Sequence, residues 1–146
     1  MKIEIRPQPY DPWQELAGYQ SASEDLAVGS YGACATFVGT MRDFNEGDDV
    51  TSMFLEHYPG MTEKQLMELA QTAVSRHQLN DVLILHRVGE IFPNDPIVLV
   101  AVWSAHRAAA FDACREMMEM LKSKATFWKK EQLSSGVRWV EQNTPG

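Results

Sequence analysis

Cysteine is scarce in this chain: Cys34 and Cys114 are the only two in 146 residues. Two thiols build neither a disulfide framework nor a cysteine zinc cluster. Both sit among apolar neighbours in the sequence, so buried free thiols and a reducing compartment are expected. Basic charge is also short, with 13 Lys and Arg against 20 Asp and Glu, a net charge of -7. That excludes a general nucleic-acid binder, which needs a basic excess. It does not exclude a phosphate-bearing small molecule, because local patches outweigh the total. No apolar run approaches the ~20 residues that cross a bilayer. The opening Met1-Lys2-Ile3-Glu4-Ile5-Arg6 has no secretory apolar region. A cytoplasmic protein that binds no membrane is the expectation. His57, His77, His86 and His106 show neither HxH nor HExxH spacing, so neither metal nor cofactor is expected. Neither a P-loop nor a dinucleotide-binding glycine fingerprint is present.

What remains is an ordinary globular composition, 45% hydrophobic and 23% charged. The length suits a single domain, residues 1–146, able to bury about two-thirds of its unfolded surface. Lys2 to Arg6 alternates like a half-buried strand, and Asp11-Pro12 starts a short helix reaching about Tyr19. Ser21 to Ser30 reads as a loop. Tyr31 to Val38 is a buried strand, and the polar stretch from Thr40 to Asp49 reads as a mobile loop. Val50 to Tyr58 alternates again. Thr62 and Gln65 then fit a capping box for a helix running to about His77. Asp81 to Val88 and Ile97 to Trp103 are β-branched strands, joined by the proline-bearing connection Gly89 to Pro96. Ser104 caps a second long helix whose apolar stripe is Ala108, Phe111, Cys114, Met118 and Leu121. An extended piece from Thr126, a turn at Ser134-Ser135-Gly136 and a strand from Val137 to Glu141 complete the chain. Two main helices and about six strands predict a mixed α+β domain.

Some clusters could carry chemistry. Phe37-Val38-Gly39-Thr40-Met41-Arg42 runs a strand into a cation, although spacing alone favours a hairpin with a surface arginine. His106-Arg107 opens a helix, where extra cations oppose the dipole unless an anion sits among them. A solvated first turn explains them equally well. Lys122, Lys124, Lys129 and Lys130 interleave with Phe127 and Trp128. Close lysines depress one another's pKa and can serve as base, nucleophile or phosphate ligand; a helix end followed by an exposed strand is the plainer reading.

Taken together these strings resemble a known family. ATFVGTMRDFNEGDDV, FLEHYPGMTEKQL, LHRVGEIFPNDPIVLVAVWSAHRAAAF and MLKSKATFWKKE with RWVE resemble the large, catalytic subunits of molybdopterin synthase, the MoaE family, from about Gln8 to Glu141. The resemblance implies an α+β fold with a hammerhead-like arrangement. It implies a homodimer carrying a small ubiquitin-like sulfur-carrier subunit at each end, a heterotetramer overall. The carrier's thiocarboxylated Gly-Gly tail would enter the large subunit and deliver two sulfurs to cyclic pyranopterin monophosphate, through a singly sulfurated intermediate, without a metal. By string matching, Lys122 and Lys129 would be catalytic. Thr40, Met41, Arg42, His106, Arg107, Lys130 and Glu131 would bind substrate, and Phe37 and Met118 would lie near the carrier tail.

Two departures stand out. Many relatives carry a lysine where this chain has Thr40, which leaves one fewer cation near the substrate. The end at Asn143-Thr144-Pro145-Gly146 is also shorter than the basic tail of many relatives. A non-catalytic module that docks a ubiquitin-like tail is the competing expectation. The set Arg42, His106, Arg107, Lys122 and Lys129 argues against it, because tail docking alone needs few phosphate-suited groups.

Overall fold

The computed structural model describes residues 1–45 and 47–140, so the expected strand end at Glu141 and the terminal residues 143–146 lie outside the described residues. Its centre is a sheet of β1 (Lys2–Arg6), β5 (Asp81–Arg87), β7 (Pro96–Ser104) and β2 (Ala33–Thr40), in that spatial order. β1 is parallel to β5, and the other pairs are antiparallel. The inner strands read as continuous apolar runs because both faces are covered. One face packs Val82, Ile84, Val100 and Val102 against α2 (Met61–His77) and α3 (Arg107–Lys124). The other packs Leu83, Leu85, Leu99 and Trp103 against Leu16 and Tyr19 of α1 (Pro12–Ala22). Trp103 is fully buried, and its indole N–H donates to Gln20 Oε1 at 2.9 Å. A second sheet orders β3 (Phe44–Asn45), β4 (Asp48–His57), β8 (Phe127–Leu133) and β9 (Gly136–Val140), with β6 (Gly89–Ile91) also paired to β4. Its own small core holds Met41, Val50, Met53, Leu55, Ile91 and Leu133. The α+β expectation is met: α1 is the short helix expected after Asp11, α2 and α3 are the two main ones, and there are more strands than expected.

Several local expectations need correction. The stretch from Thr40 to Asp49 is no open loop: Phe44 and Asn45 pair with Asp49 and Asp48 in a tight hairpin, with Gly47 at φ +81°. The connection Gly89 to Pro96 contains β6. Ser104 does not cap α3; the N-cap is His106, whose carbonyl accepts from the Ser104 hydroxyl. The stripe of α3 is met at Cys114, Met118 and Leu121, which are buried, but Ala108 and Phe111 are exposed while Ala110, Ala113 and Met117 are buried. A helix turns about 100° per residue, so a shift of one or two positions moves its buried face. Cys114 is buried, but Cys34 is exposed, because β2 is the edge strand.

The capping box falls two residues earlier than expected. The N-cap of α2 is Gly60, whose N–H donates to the Glu63 carboxylate at 3.1 Å. Thr62 and Gln65 instead tie the helix to the segment that leads into β8. The fully buried Thr62 hydroxyl accepts from the Tyr58 N–H at 2.9 Å and donates to the Thr126 carbonyl at 2.8 Å. Gln65 Oε1 accepts from both the N–H and the hydroxyl of Thr126. Thr62→Val keeps the shape but strands two partly buried backbone groups, the Tyr58 N–H and the Thr126 carbonyl. Urea denaturation is expected to show a loss of about 1–3 kcal/mol.

Candidate active site

Where the two sheets meet the open edge of β2 and the flank of α3, they enclose a cavity of about 1060 Å³. Each wall has its own reason. β2 supplies Phe37, Gly39 and Thr40 because no described strand pairs with its outer edge. The segment after β2 supplies Met41 and Arg42. Its backbone is anchored there: Met41 N–H donates to the Asp95 carbonyl at 3.0 Å, and the Met41 carbonyl accepts from Asn94 N–H at 2.9 Å. α3 presents Phe111, Arg115, Met118, Glu119 and Lys122 along one flank, at the i, i+4 spacing that stacks side chains on a helix. β8 supplies Lys129 and Glu131, which point the same way because strand side chains alternate.

The cavity collects charge. Four cations, Arg42, Arg115, Lys122 and Lys129, face two carboxylates, Glu119 and Glu131, in a chain that is acidic as a whole. Lys122 is held below the usual lysine range by desolvation of its amine and by nearby Arg42. Lys129 is half-buried and is also lowered, first by burial and then by Lys122 and Arg42, with Glu131 opposing. Arg42 is exposed, and its guanidinium lies over the Phe44 ring at 5.0 Å.

Glu131 is buried and fully occupied. Asn45 Nδ2 donates to its two oxygens at 3.0 and 3.2 Å, and Arg138 Nε donates at 3.1 Å. Arg138 also bonds Asp48 Oδ2 at 2.8 Å and the Asn45 carbonyl at 2.9 Å. One carboxylate thus clips the β3–β4 hairpin to β8 and β9. This fixes the segment that carries Phe44 under Arg42.

Of the residues singled out in the sequence, the cavity brings together Lys122, Lys129, Thr40, Met41, Arg42, Glu131, Phe37 and Met118. Three stand elsewhere. Lys130 points out of the opposite face of β8, its amine 5.5 Å from the Trp139 ring centre, because it lies one position from Lys129. His106 and Arg107 are exposed at the far end of α3. Fifteen residues separate Arg107 from Lys122, about 22 Å of helix. Arg107 is one helical turn from the wall residue Phe111, yet neither it nor His106 lines the cavity of its own chain. Sequence reasoning passed over Phe111, Arg115 and Glu119 as wall residues, although their spacing with Met118 and Lys122 marks one helix flank. It also gave His86 no role beyond excluding a metal spacing, whereas the ring lines the cavity. Among the described residues no group of three His, Cys, Asp or Glu is placed to hold a metal ion. No described helix is long and apolar enough to cross a membrane.

Comparison with known proteins identifies the family. Residues 13–124 match the family described as MoaE protein. The molybdopterin synthase catalytic subunit of Pseudomonas aeruginosa is 49% identical over 141 residues, covering 97% of this chain and 91% of that protein. The solved molybdopterin biosynthesis MoaE protein from Burkholderia ambifaria superposes with a TM-score of 0.79 at 42% identity, covering 99% of this chain and 92% of that one. Molybdopterin synthase from Staphylococcus aureus gives a TM-score of 0.82 at 29% identity, covering 97% and 99%. By family match and by identity over nearly its whole length, the chain belongs to the MoaE protein family.

Proposed function

We propose that residues 1–146 form one catalytic-subunit domain of a molybdopterin synthase, a sulfurtransferase. It takes sulfur from the thiocarboxylated Gly-Gly tail of a small ubiquitin-like carrier and gives it to cyclic pyranopterin monophosphate, forming the dithiolene of molybdopterin. In each of two transfers a carbon-bound oxygen of the pterin is replaced by sulfur, and the tail is left as a carboxylate. The observation that carries this reading is the convergence of Lys122, Lys129 and Arg42 in one large cavity. The phosphate and the thiocarboxylate are both anions and need cations in a partly dry site. The departing oxygen needs a proton, and an amine of lowered pKa can relay one near neutral pH. Phe37, Met118 and Phe111 supply apolar wall for an extended tail.

The chain would act as a homodimer within a heterotetramer. The cytoplasm suits its two free cysteines. The matched proteins are named as catalytic subunits, which supports a separate carrier chain. In this reading His106 and Arg107 hold the phosphate in the cavity of a second copy. Thr40, Met41 and Arg42 would border the substrate directly, and Lys130 would act from outside the cavity if at all.

The test is reconstitution. Purified protein, a thiocarboxylated carrier and cyclic pyranopterin monophosphate should give the dithiolene, read by oxidation to its fluorescent derivative. The carrier with an ordinary carboxylate end should give none. Carrier binding without product from the thiocarboxylated form would leave the docking module as the function.

A further inference from the structure

His86 occupies a position where the sheet calls for an apolar residue. On the helix-covered face of β5 the alternation runs Val82, Ile84, His86, and the first two lie in the main core. The register places His86 beside Val98, and Val98 beside Gly39, in one row across β5, β7 and β2. All three residues of that row line the cavity. The imidazole is buried, and the Phe127 ring stacks on it at 3.9 Å with planes 17° apart.

The ring's hydrogen bonding fixes its tautomer. Nδ1 lies 2.9 Å from the Arg87 carbonyl oxygen. A carbonyl only accepts, so Nδ1 carries a proton. Burial pushes the imidazole's pKa down to about 4, with Lys122 and His57 adding to the effect, so the ring is neutral near pH 7. Nε2 is then a bare acceptor. No described residue donates to it. Nε2 is not one of the buried side-chain atoms left without a partner, so it is open to solvent, and the side open to this ring is the cavity, where a ligand's donor can replace water.

We propose that His86 is a further substrate-contacting residue, its Nε2 accepting a hydrogen bond from an N–H group of the pterin heterocycle seated in the cavity. This rests on the reading that a phosphorylated pterin occupies that cavity. The cyclic phosphate of this substrate, a diester, has no proton to offer near neutral pH, and its oxygens are repelled by the lone pair. A pterin carries ring and exocyclic N–H donors in one plane. The site therefore divides its work: the lysines and Arg42 take the anion, and His86 reads the heterocycle. A site built to accept one N–H discriminates sharply against a ligand that lacks it.

Two substitutions separate contact from scaffolding in the reconstituted enzyme. In His86→Asn the amide N–H can take the place of Nδ1–H and keep the bond to Arg87, but nothing reaches the Nε2 position. In His86→Gln the amide oxygen reaches the Nε2 position and restores the acceptor. The expected result is a KM for the pterin raised about tenfold by the Asn change, with the carrier's affinity unchanged and the Gln change restoring most of the loss. The reverse order, Asn near wild type and Gln impaired, would make His86 a scaffold residue and overturn the proposal. Equal loss in both, or weaker carrier binding with an unchanged pterin KM, would do the same. A second readout needs no variant. The ¹⁵N signal of His86 Nε2 should move when cyclic pyranopterin monophosphate is added alone, and stay put with inorganic phosphate or with carrier alone. If the functional reading itself is wrong, wild-type enzyme makes no product. If only this inference is wrong, wild type turns over and His86→Asn keeps its pterin KM.

Discussion

Lys129→Ala is expected to lower kcat for sulfur transfer by about 10²–10⁴-fold, the usual worth of a positioned acid or base, with KM for the pterin changed far less. Lys122→Ala is expected to fall in the same range. The reason lies in what surrounds the amines. Lys129 loses hydration inside the cavity, and Lys122 and Arg42 repel its proton, while Glu131 alone pulls the other way. Glu131 is already engaged by Asn45 and Arg138. The amine therefore sheds its proton below the ordinary lysine value of 10.5. If the neutral amine is the working form, kcat/KM rises with pH up to that lowered pKa and then levels off. Removing a neighbouring cation weakens the depression, so the residual activity of Lys122→Gln should show its rising limb at higher pH than wild type. Lys129→Arg keeps the charge but holds its proton at every usable pH. It should be as slow as Lys129→Ala. Recovery by Lys129→Arg would make the residue an electrostatic clamp, and full turnover by Lys129→Ala would remove it from the chemistry.

The second large effect concerns His106 and Arg107. In one chain they stand at the opposite end of α3 from Lys122, too far to share a ligand with it. If they hold the phosphate in a two-fold dimer, each site draws its lysines from one copy and its phosphate clamp from the other. Arg107→Ala and Lys129→Ala should each abolish most activity alone. Dimers re-formed from an equal mixture should then regain up to about a quarter of wild-type activity, because half of them are mixed and each mixed dimer has one intact site. No recovery in mixed dimers that are shown to form would place Arg107 outside the site.

The sequence carried much of this protein on its face. Proline after Asp11, β-branched runs at 81–88 and 97–103, and the spacing of Leu66, Leu69, Ala70 and Ala73 are local signals, and the elements they announce are present. Lys122, Lys129 and Arg42 were legible as candidates through the strings that resemble the MoaE family, since spacing alone favoured a surface arginine and an exposed strand. Their meeting was not legible, since 80 positions separate Arg42 from Lys122. Strand order β1-β5-β7-β2, which leaves β2 as an open edge beside α3, brings them together. Helix faces were misjudged for a related reason. Phe111 fits an apolar stripe, yet which side of α3 is covered depends on how it lies on β2 and β7, and Phe111 falls on the cavity side.

Polar residues show the same division. Thr62 and Gln65 have capping chemistry, but their donors and acceptors are claimed by Thr126, 61 residues or more along the chain. Lys130 and Lys129 are neighbours in sequence and opposites in space, because a strand alternates its faces and only the fold says which face is inside. His86 looked like any buried histidine until the register set it in a row with Val98 and Gly39 on the cavity wall. Composition, periodicity and capping are properties of a few adjacent residues, so the sequence by itself determined the elements and the chemical inventory. Burial, tautomer, lowered pKa and the cavity arise from contacts between distant segments, and the tertiary structure alone decided those.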